Sequence, residues 1–177
     1  MCHLKKTILL IALCAFEAST QTSEKPVALY SGLGGWTHPI SARTIEAQKY
    51  FDQGLALLYG FNRNESLRPF RKAAQLDPQA PMAYWGISMA LGPYLNMDGD
   101  PSFNIKESCA ALKQGLKLSS IDASERLWLE AAATRCPDFA DPSRYVRAMH
   151  DLAAKYPDDL DAQTLYADAL MIPVRWH

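Results

Sequence analysis

The sequence predicts an all-α protein, and three observations support that fold class. From about residue 44 onward, apolar residues recur at the spacing of helical turns, and no segment shows sustained strand-type alternation. Most of these segments begin at a capping residue or end at glycine or proline. Hydrophobic residues make up 49% of the 177-residue chain, which suits one packed core. We therefore expect one domain over residues 44–171, with about seven helices.

Residues 1–20 are predicted to be a signal peptide that precedes the fold. A basic start, MCHLKK, is followed by the apolar run ILLIALCAF, which has the length of a signal-peptide core. Two alternatives are a buried N-terminal helix and a lipoprotein anchor at Cys14, although the bulky Leu13 before it disfavours lipidation. Cleavage of the leader would place the mature chain in the periplasm or the extracellular space.

Two segments without helical pattern flank the predicted domain. Residues 21–43 are rich in Ser, Thr, Gly and Pro, which predicts an extended arm. Residues 172–177, IPVRWH, form a tail with neither a cap nor a partner helix. This ending is typical of a truncated repeat array, and it leaves the last helix free to pair with a second copy of the chain.

The first two helices are delimited by turn and capping residues. The first is predicted over about 44–60, where a glycine ends it. Asn62 is a candidate cap for the second helix, with Glu65 returning a hydrogen bond to the backbone, and Pro78 ends that helix. Pro69 falls inside the second helix, and since proline lacks a backbone donor we expect a kink or a late start there.

Five further helices follow from the same signals. Their separators are a Gly-Pro pair, the loop YLNMDGDPSFN, the capping stretch SSIDASE, the turn CPDFADPS and the turn YPDD. The predicted ranges are about 81–91, 105–118, from within SSIDASE to 135, 143–155 and 160–171.

Cys109 and Cys136 are the two cysteines that remain after leader cleavage. In an oxidising compartment they would form one disulfide or stay as two separate buried thiols, and spacing alone leaves both alternatives open. They show no CxxC spacing and no neighbouring histidine, which disfavours a zinc site.

The charge of the chain excludes two classes of partner. The formal net charge is −1, so nothing indicates binding to nucleic acid or to an anionic membrane surface. No apolar run approaches the roughly 20 residues that a membrane-spanning helix needs.

A 34-residue register relates the helix pairs, with small residues where two helices would approach closely. Gly54 on the first helix is expected to face Ser66 on the second, and large side chains beside them would fill the remaining space. The predicted packing positions are Tyr50, Gly54, Leu57, Ser66, Phe70, Ala73 and Pro78.

With these residues in this order, the sequence resembles the tetratricopeptide repeat family. The unit from Ala47 to about Ala80 matches well, although Tyr50 replaces the signature tryptophan and Ser66 replaces an alanine. A second unit begins at MAYWGISMALG and departs at the following loop, and YPDDLDAQTLYADAL matches loosely. The amino-acid sequence is also similar to those of large exported bacterial repeat proteins of unknown function. The resemblance implies a right-handed solenoid of antiparallel helix pairs.

The resemblance further implies a concave groove lined by the first helix of each pair. In this chain the groove positions are strongly apolar, which predicts a protein or peptide partner. We expect the arm to fold back and place Trp36 and Ile40 in the groove; the alternative is that a partner or a second copy fills it. The groove residues are Gln48, Phe51, Leu55, Leu58, Tyr59, Met82, Trp85 and Met89.

One loop has part of the pattern of a calcium site. Counted from Asn96, oxygen ligands fall at the first, third and fifth positions, and a glutamate falls at the twelfth. Pro101 stands where the turn needs glycine, which weakens the case, so an acidic interhelical loop is the other interpretation. The candidate ligands are Asn96, Asp98, Asp100 and Glu107.

No enzymatic motif emerges from the sequence. SGLGGW lacks the GK[ST] ending of a phosphate loop, and no Ser-His-Asp, Cys-His or HExxH arrangement is present. We therefore predict a non-catalytic, exported protein-binding or scaffolding module that needs no cofactor. The alternative function is the helical part of a larger enzyme or of a calcium-binding exported protein.

Overall fold

A computed structural model of the chain describes residues 25–96 and 103–174. Within these ranges the chain forms seven α-helices, one 3₁₀ turn and no strand, which confirms the predicted all-α class. The helices are α1 Ile45–Tyr59, α2 Arg63–Leu76, α3 Pro81–Leu91, α4 Ile105–Gly115, α5 Ala123–Ala133, α6 Pro142–Lys155 and α7 Leu160–Met171, and the 3₁₀ turn is Ile172–Val174.

Each helix packs against the next one along the chain. In addition, α1 contacts α3 and α3 contacts α5, so the first three odd-numbered helices form a continuous layer. Helix α3 is the centre of the fold, because all eleven of its residues are buried. No helix in the described ranges combines the length and the apolar character that crossing a membrane requires.

Helix starts are fixed mainly by side-chain caps. The side chains that accept a backbone N–H in the first turn belong to Thr44, Asn104, Asp122, Asp141 and Asp159. Such a bond satisfies one of the backbone donors that a helix start leaves without a partner.

The start of α2 differs from the prediction. Asn62 makes no side-chain capping bond, and Glu65 instead accepts hydrogen bonds from Tyr30 and Arg68. Helix α2 also continues through Pro69, which is buried.

Phe70 is the side chain around which the first three helices pack. A Cβ atom added to Gly54 of α1 would lie 2.7 Å from the Phe70 ring, and one added to Gly86 of α3 would overlap the same ring. Ser66 is fully buried and its hydroxyl donates to the Arg63 carbonyl at 2.7 Å. The nearest atoms to the missing Gly54 side chain are thus those of Phe70, and the predicted Gly54–Ser66 contact stays a prediction.

The other predicted packing positions differ in burial. Leu57 and Ala73 are buried, and Tyr50 is half-buried with its hydroxyl donating to the Val27 carbonyl at 3.0 Å. Pro78 follows the end of α2 and is exposed.

Two buried arginines satisfy backbone carbonyls at the end of α3. Arg63 donates to the carbonyls of Met89 and Gly92, and Arg135 donates to the Pro93 carbonyl at 3.2 Å. Cationic donors suit this position because the last carbonyls of a helix lack partners and carry partial negative charge.

Cys109 of α4 and Cys136, just after α5, form a disulfide. Of the two alternatives that the sequence leaves open, the structure therefore shows the pairing. The bond joins two helices that follow each other in the chain, with a sequence separation of 27 residues.

The described part of the arm, residues 25–43, contains no helix or strand and is hydrogen-bonded to α1 and α2. Gln53 holds it at one point, accepting from the Tyr30 N–H at 2.7 Å and donating to the Ala28 carbonyl at 2.8 Å. Gln48 holds it at a second point, through the Ile40 N–H and the His38 carbonyl. The arm therefore has a defined path across the first helices.

Candidate functional site

A cavity of about 540 Å³ lies between the arm, the first turns of α5 and the start of α7. Among the described residues, its lining includes five carboxylates and no lysine or arginine, so the site is strongly acidic. Three large aromatic side chains, Trp36, Trp128 and Tyr156, also line it. The carboxylates are those of Asp122, Glu125, Asp158, Asp159 and Asp161.

Asp161, in the first turn of α7, connects three parts of the chain. One carboxylate oxygen accepts from the Tyr59 hydroxyl at 2.7 Å, and the other lies 2.7 Å from His38 Nδ1. The Trp36 indole N–H donates to both oxygens at 3.2 Å. Both oxygens of this buried carboxylate are therefore engaged by donors from the arm and from α1.

Hydrogen bonding controls the ionisation of Asp161. Burial by itself would raise the pKa of this carboxyl group, but hydrogen bonds from His38, Tyr59 and Trp36 outweigh it and hold the pKa below its usual value. The pKa of Tyr59 is shifted in the opposite direction, because burial and the neighbouring Asp161 carboxylate raise it. The pair is thus an ionised acid and a neutral phenol.

Glu125, in the first turn of α5, is only 4% exposed. Its Oε1 accepts from the backbone N–H of Ser41 on the arm at 2.6 Å. Its Oε2 is buried and has no hydrogen-bond partner among the residues that the structure describes. Burial, with a smaller contribution from the charge of Asp122, raises the pKa of Glu125. One acceptor of the cavity is therefore unsatisfied by the protein.

His38 connects the acidic cavity to the core. Its ring lies edge-on to Trp128, with 5.2 Å between the ring centroids, and it also approaches Phe51 at 6.2 Å. Trp128 in turn packs edge-on against Trp85 of α3. The position of the imidazole is therefore fixed both by its carboxylate partner and by aromatic packing.

His38, Asp159 and Asp161 also have the arrangement of possible metal ligands. Each offers one ligand atom, and these three atoms lie within 4.8 Å of one another. Asp159 already accepts the backbone N–H groups of Asp161 and Ala162 as the cap of α7. An incoming ion would have to compete with these bonds and with those around Asp161.

Most of the residues predicted to line a groove lie in the core. Gln48 and Tyr59 are half-buried and form hydrogen bonds to the arm and to Asp161, respectively. The other six are each less than 10% exposed: Phe51, Leu55, Leu58, Met82, Trp85 and Met89.

The arm contacts the residues that were assigned to the groove, but not through the side chain that was expected to do so. Ile40 is partly buried against the core, as predicted, whereas Trp36 is 56% exposed. His38 occupies the position against Phe51 and Trp128 instead. The expectation that Trp36 fills the groove is therefore wrong: most of its side chain is exposed, and its indole N–H donates to Asp161.

A second cavity, of about 410 Å³, lies between α1, α3 and α7. Its lining is mainly apolar and includes Leu58, Met89, Leu165 and Met171. Asp168 also lines it, and burial raises the pKa of that carboxyl group despite the nearby arginines Arg135 and Arg63.

The candidate calcium loop is described only at its ends. Asn96 is exposed, and Glu107 accepts from Arg71 and lies 3.3 Å from the Asn104 amide nitrogen. Asp98 and Asp100 lie outside the described residues. Glu107 is thus already engaged by protein donors.

The sequence contained a partial signal for the observed site. The stretches SSIDASE and YPDDLDA each place a capping aspartate two or three residues before a second acid, Glu125 or Asp161. Both patterns are also those of ordinary helix starts. His38, considered alone, resembles a structural histidine, and only the folded arm brings it to the two helix starts.

Comparison with known proteins gives no family model, no curated protein and no solved structure that matches this chain.

Proposed function

We propose that the chain is an exported, tetratricopeptide-like binding module that holds a segment of another polypeptide and catalyses no reaction. The observation that carries this proposal is the position of the two cavities. Many of the lining residues lie on the odd-numbered helices. The others belong to the arm, to the turn before α7, to the cap of α5 at Asp122, to α2 at Arg63, and to the residues that follow α1 and α3. In repeat proteins of this kind, the first helix of each pair forms the ligand face.

The helix contacts support a solenoid of helix pairs. Consecutive helices pack together, and the contacts of α1 with α3 and of α3 with α5 are those expected when the first helices of successive pairs stack. We propose the right-handed sense that the sequence resemblance implies.

The binding surface in this proposal is the mouth of the acidic cavity, not the set of apolar groove residues. Those residues are needed for core packing and expose almost no surface. Trp36 and Leu160, which are 56% and 59% exposed, provide apolar area at the mouth of the cavity. Exposed aromatic and aliphatic side chains beside a pocket are frequent anchors for peptide ligands.

The disulfide supports export. Bonds such as Cys109–Cys136 form and persist in oxidising compartments and are rare in reducing ones. We therefore propose that the protein functions in the periplasm or outside the cell.

A peptide-display selection on the purified protein tests the binding proposal. Two exposed leucines of α7 form a matched pair of variants: Leu160 lines the acidic cavity, and Leu170 lines neither cavity. Selected peptides should bind Leu160→Lys at least about tenfold more weakly than the unmodified protein, whereas Leu170→Lys should bind normally. Failure to select any peptide, or equal effects of the two variants, would contradict the proposal.

A second candidate function is metal binding, because His38, Asp159 and Asp161 place three ligand atoms within 4.8 Å of one another. In that case the chain would be the helical part of a metal-dependent protein. Metal content of protein purified without chelators distinguishes the two: a stoichiometric ion that His38→Ala abolishes favours the metal site, and its absence favours the binding module.

A further inference from the structure

We propose that the acidic cavity recognises an organic cation, an alkylammonium or guanidinium group, whose N–H donates a hydrogen bond to Glu125 Oε2. This inference depends on the proposed binding function and names the chemistry of its ligand. It follows from one acceptor that has no partner among the described residues, from the charge of the cavity and from the indole rings that line it.

The unsatisfied acceptor is Oε2 of Glu125. An ionised carboxylate can accept about four hydrogen bonds, yet Glu125 accepts one, from the Ser41 N–H, in the described residues. A buried polar atom without a partner is costly, so such atoms usually indicate a missing ligand or a strained site. Only 4% of Glu125 is exposed, and this residue lines the cavity.

The other buried carboxylate of the cavity, Asp161, has hydrogen-bond partners for both of its oxygens. Both oxygens of Asp161 receive donors from Trp36, His38 or Tyr59, and these bonds hold its pKa below the usual value. Asp161 is therefore a connector between the arm and α7. Glu125 also lies in the first turn of its helix, but it lacks the second set of donors.

The negative charge of the lining residues favours a positively charged ligand. The part of the chain that the structure describes lines the cavity with five carboxylates and no lysine or arginine, so an anionic ligand would be repelled. A bound cation would also favour the ionised form of Glu125, whose pKa is raised in the free protein by burial. The ligand and the carboxylate would thus stabilise each other.

The aromatic side chains that line the cavity favour an organic cation over a metal ion. Trp36 and Trp128 line the cavity, and indole faces attract ammonium and guanidinium groups while packing against an alkyl stem. Tyr156 also lines it, but the ammonium group of Lys155 already lies over its ring, 5.9 Å from the centroid. A divalent ion at Asp161 and Asp159 would instead displace hydrogen bonds that the protein already makes. Because Ser41 covers Glu125, we expect the arm to shift when the cation enters.

Titrations with small probes test the proposal. The probes are N-acetyl-lysine methylamide, N-acetyl-arginine methylamide, 1,4-diaminobutane, the neutral N-acetyl-norleucine methylamide and Zn²⁺, followed by the NMR signal of the Trp36 indole N–H. Cationic probes should shift that signal saturably, and the norleucine probe should not. Tighter binding of the capped amino acids identifies a polypeptide side chain as the source, and tighter binding of diaminobutane identifies a free polyamine.

Two matched variants locate the interaction. Glu125→Gln keeps the shape and the Ser41 bond but removes the charge, and should weaken cation binding at least about tenfold. Glu130→Gln, an exposed position on the same helix, should change it less than about twofold. Binding of the neutral probe alone, binding of Zn²⁺ alone, no binding of any probe, or equal effects of the two variants would overturn the inference.

A measurement on the unmodified protein makes the test independent of variant folding. The pKa of Glu125, followed by the NMR shift of its side-chain carboxyl carbon, should fall when the preferred cationic probe is added. An unchanged pKa at saturation would overturn the inference. If displayed peptides without lysine or arginine bind through Leu160, the cation is wrong while the proposed binding function stands.

Discussion

The ring of Phe70 lies against the backbone of Gly86, with no room for a side chain between α2 and α3. The same ring faces Gly54 of α1, where an added Cβ would lie 2.7 Å away. Two glycines and one phenylalanine thereby bring three helices together. The glycines act here through close approach and not through an unusual backbone conformation.

We expect Gly86→Ala to lower the free energy of unfolding by about 2 kcal/mol or more, because the new methyl group overlaps a fully buried ring. Urea denaturation measures the effect. Gly35→Ala is the matched control, since no atom lies within 4 Å of its added Cβ, and it should change stability by less than about 0.5 kcal/mol. Replacing Phe70 by Leu in the Gly86→Ala background should recover part of the loss; purely additive effects would contradict the overlap.

Asp161→Asn should destabilise the fold by about 3 kcal/mol, because the amide offers donors where Trp36, His38 and Tyr59 already donate. The pKa of Asp161 is lowered in the folded state, so its contribution is complete above the unfolded value, about 4, and disappears as pH falls through the folded value. Thermal denaturation from neutral to acid pH checks both points. The exposed neighbour Asp158 supplies the control Asp158→Asn, and a difference that persists in acid would contradict the assignment.

Glu125 should show the opposite pH dependence. Its pKa is raised by burial and by Asp122, so the stability it contributes is complete below the unfolded value, about 4.3, and is lost as pH rises through the raised folded value. Without ligand, Glu125→Gln should therefore be more stable than the unmodified protein at neutral pH, with the difference shrinking in acid. Melting temperatures measured across this range decide the question, and a destabilised variant at neutral pH would refute the prediction.

Loss of the Cys109–Cys136 disulfide should cost about 3–4 kcal/mol, because the bond closes a loop over a separation of 27 residues in the unfolded chain. The double variant Cys109→Ser/Cys136→Ser, measured by urea denaturation, should reproduce the stability of the reduced protein. A reductant should leave that variant unchanged. An unmodified protein whose midpoint does not respond to complete reduction would show that the bond contributes nothing.

The helices could be predicted closely because their signals are local. Pro81 and Leu91 bound α3 as predicted, as do Leu160 and Met171 for α7, since apolar period, caps and stops all lie within a few residues of one another. The exception at Asn62 has a tertiary cause: Glu65, its expected capping partner, is drawn to Tyr30 of the arm.

The site could not be predicted, because its contacts join distant parts of the chain. Trp36 and Asp161 are separated by 125 positions, and Ser41 and Glu125 by 84. A repeat register describes each helix pair but contains no information on the path of an arm outside it. The apolar positions assigned to a groove illustrate the same limit, since the arm residue His38 lies against Phe51.

The hydrogen bonds from Trp36 and Tyr59 to Asp161 have a consequence for how the molecule comes apart. Linear repeat stacks lose structure from their ends, because a terminal unit has a neighbour on one side only. In the described residues, the arm before α1 is instead hydrogen-bonded to the first turn of α7 through Trp36 and His38. Separation of the arm from the start of α7 must break these bonds, so we expect the arm, α1 and the first turn of α7 to unfold together.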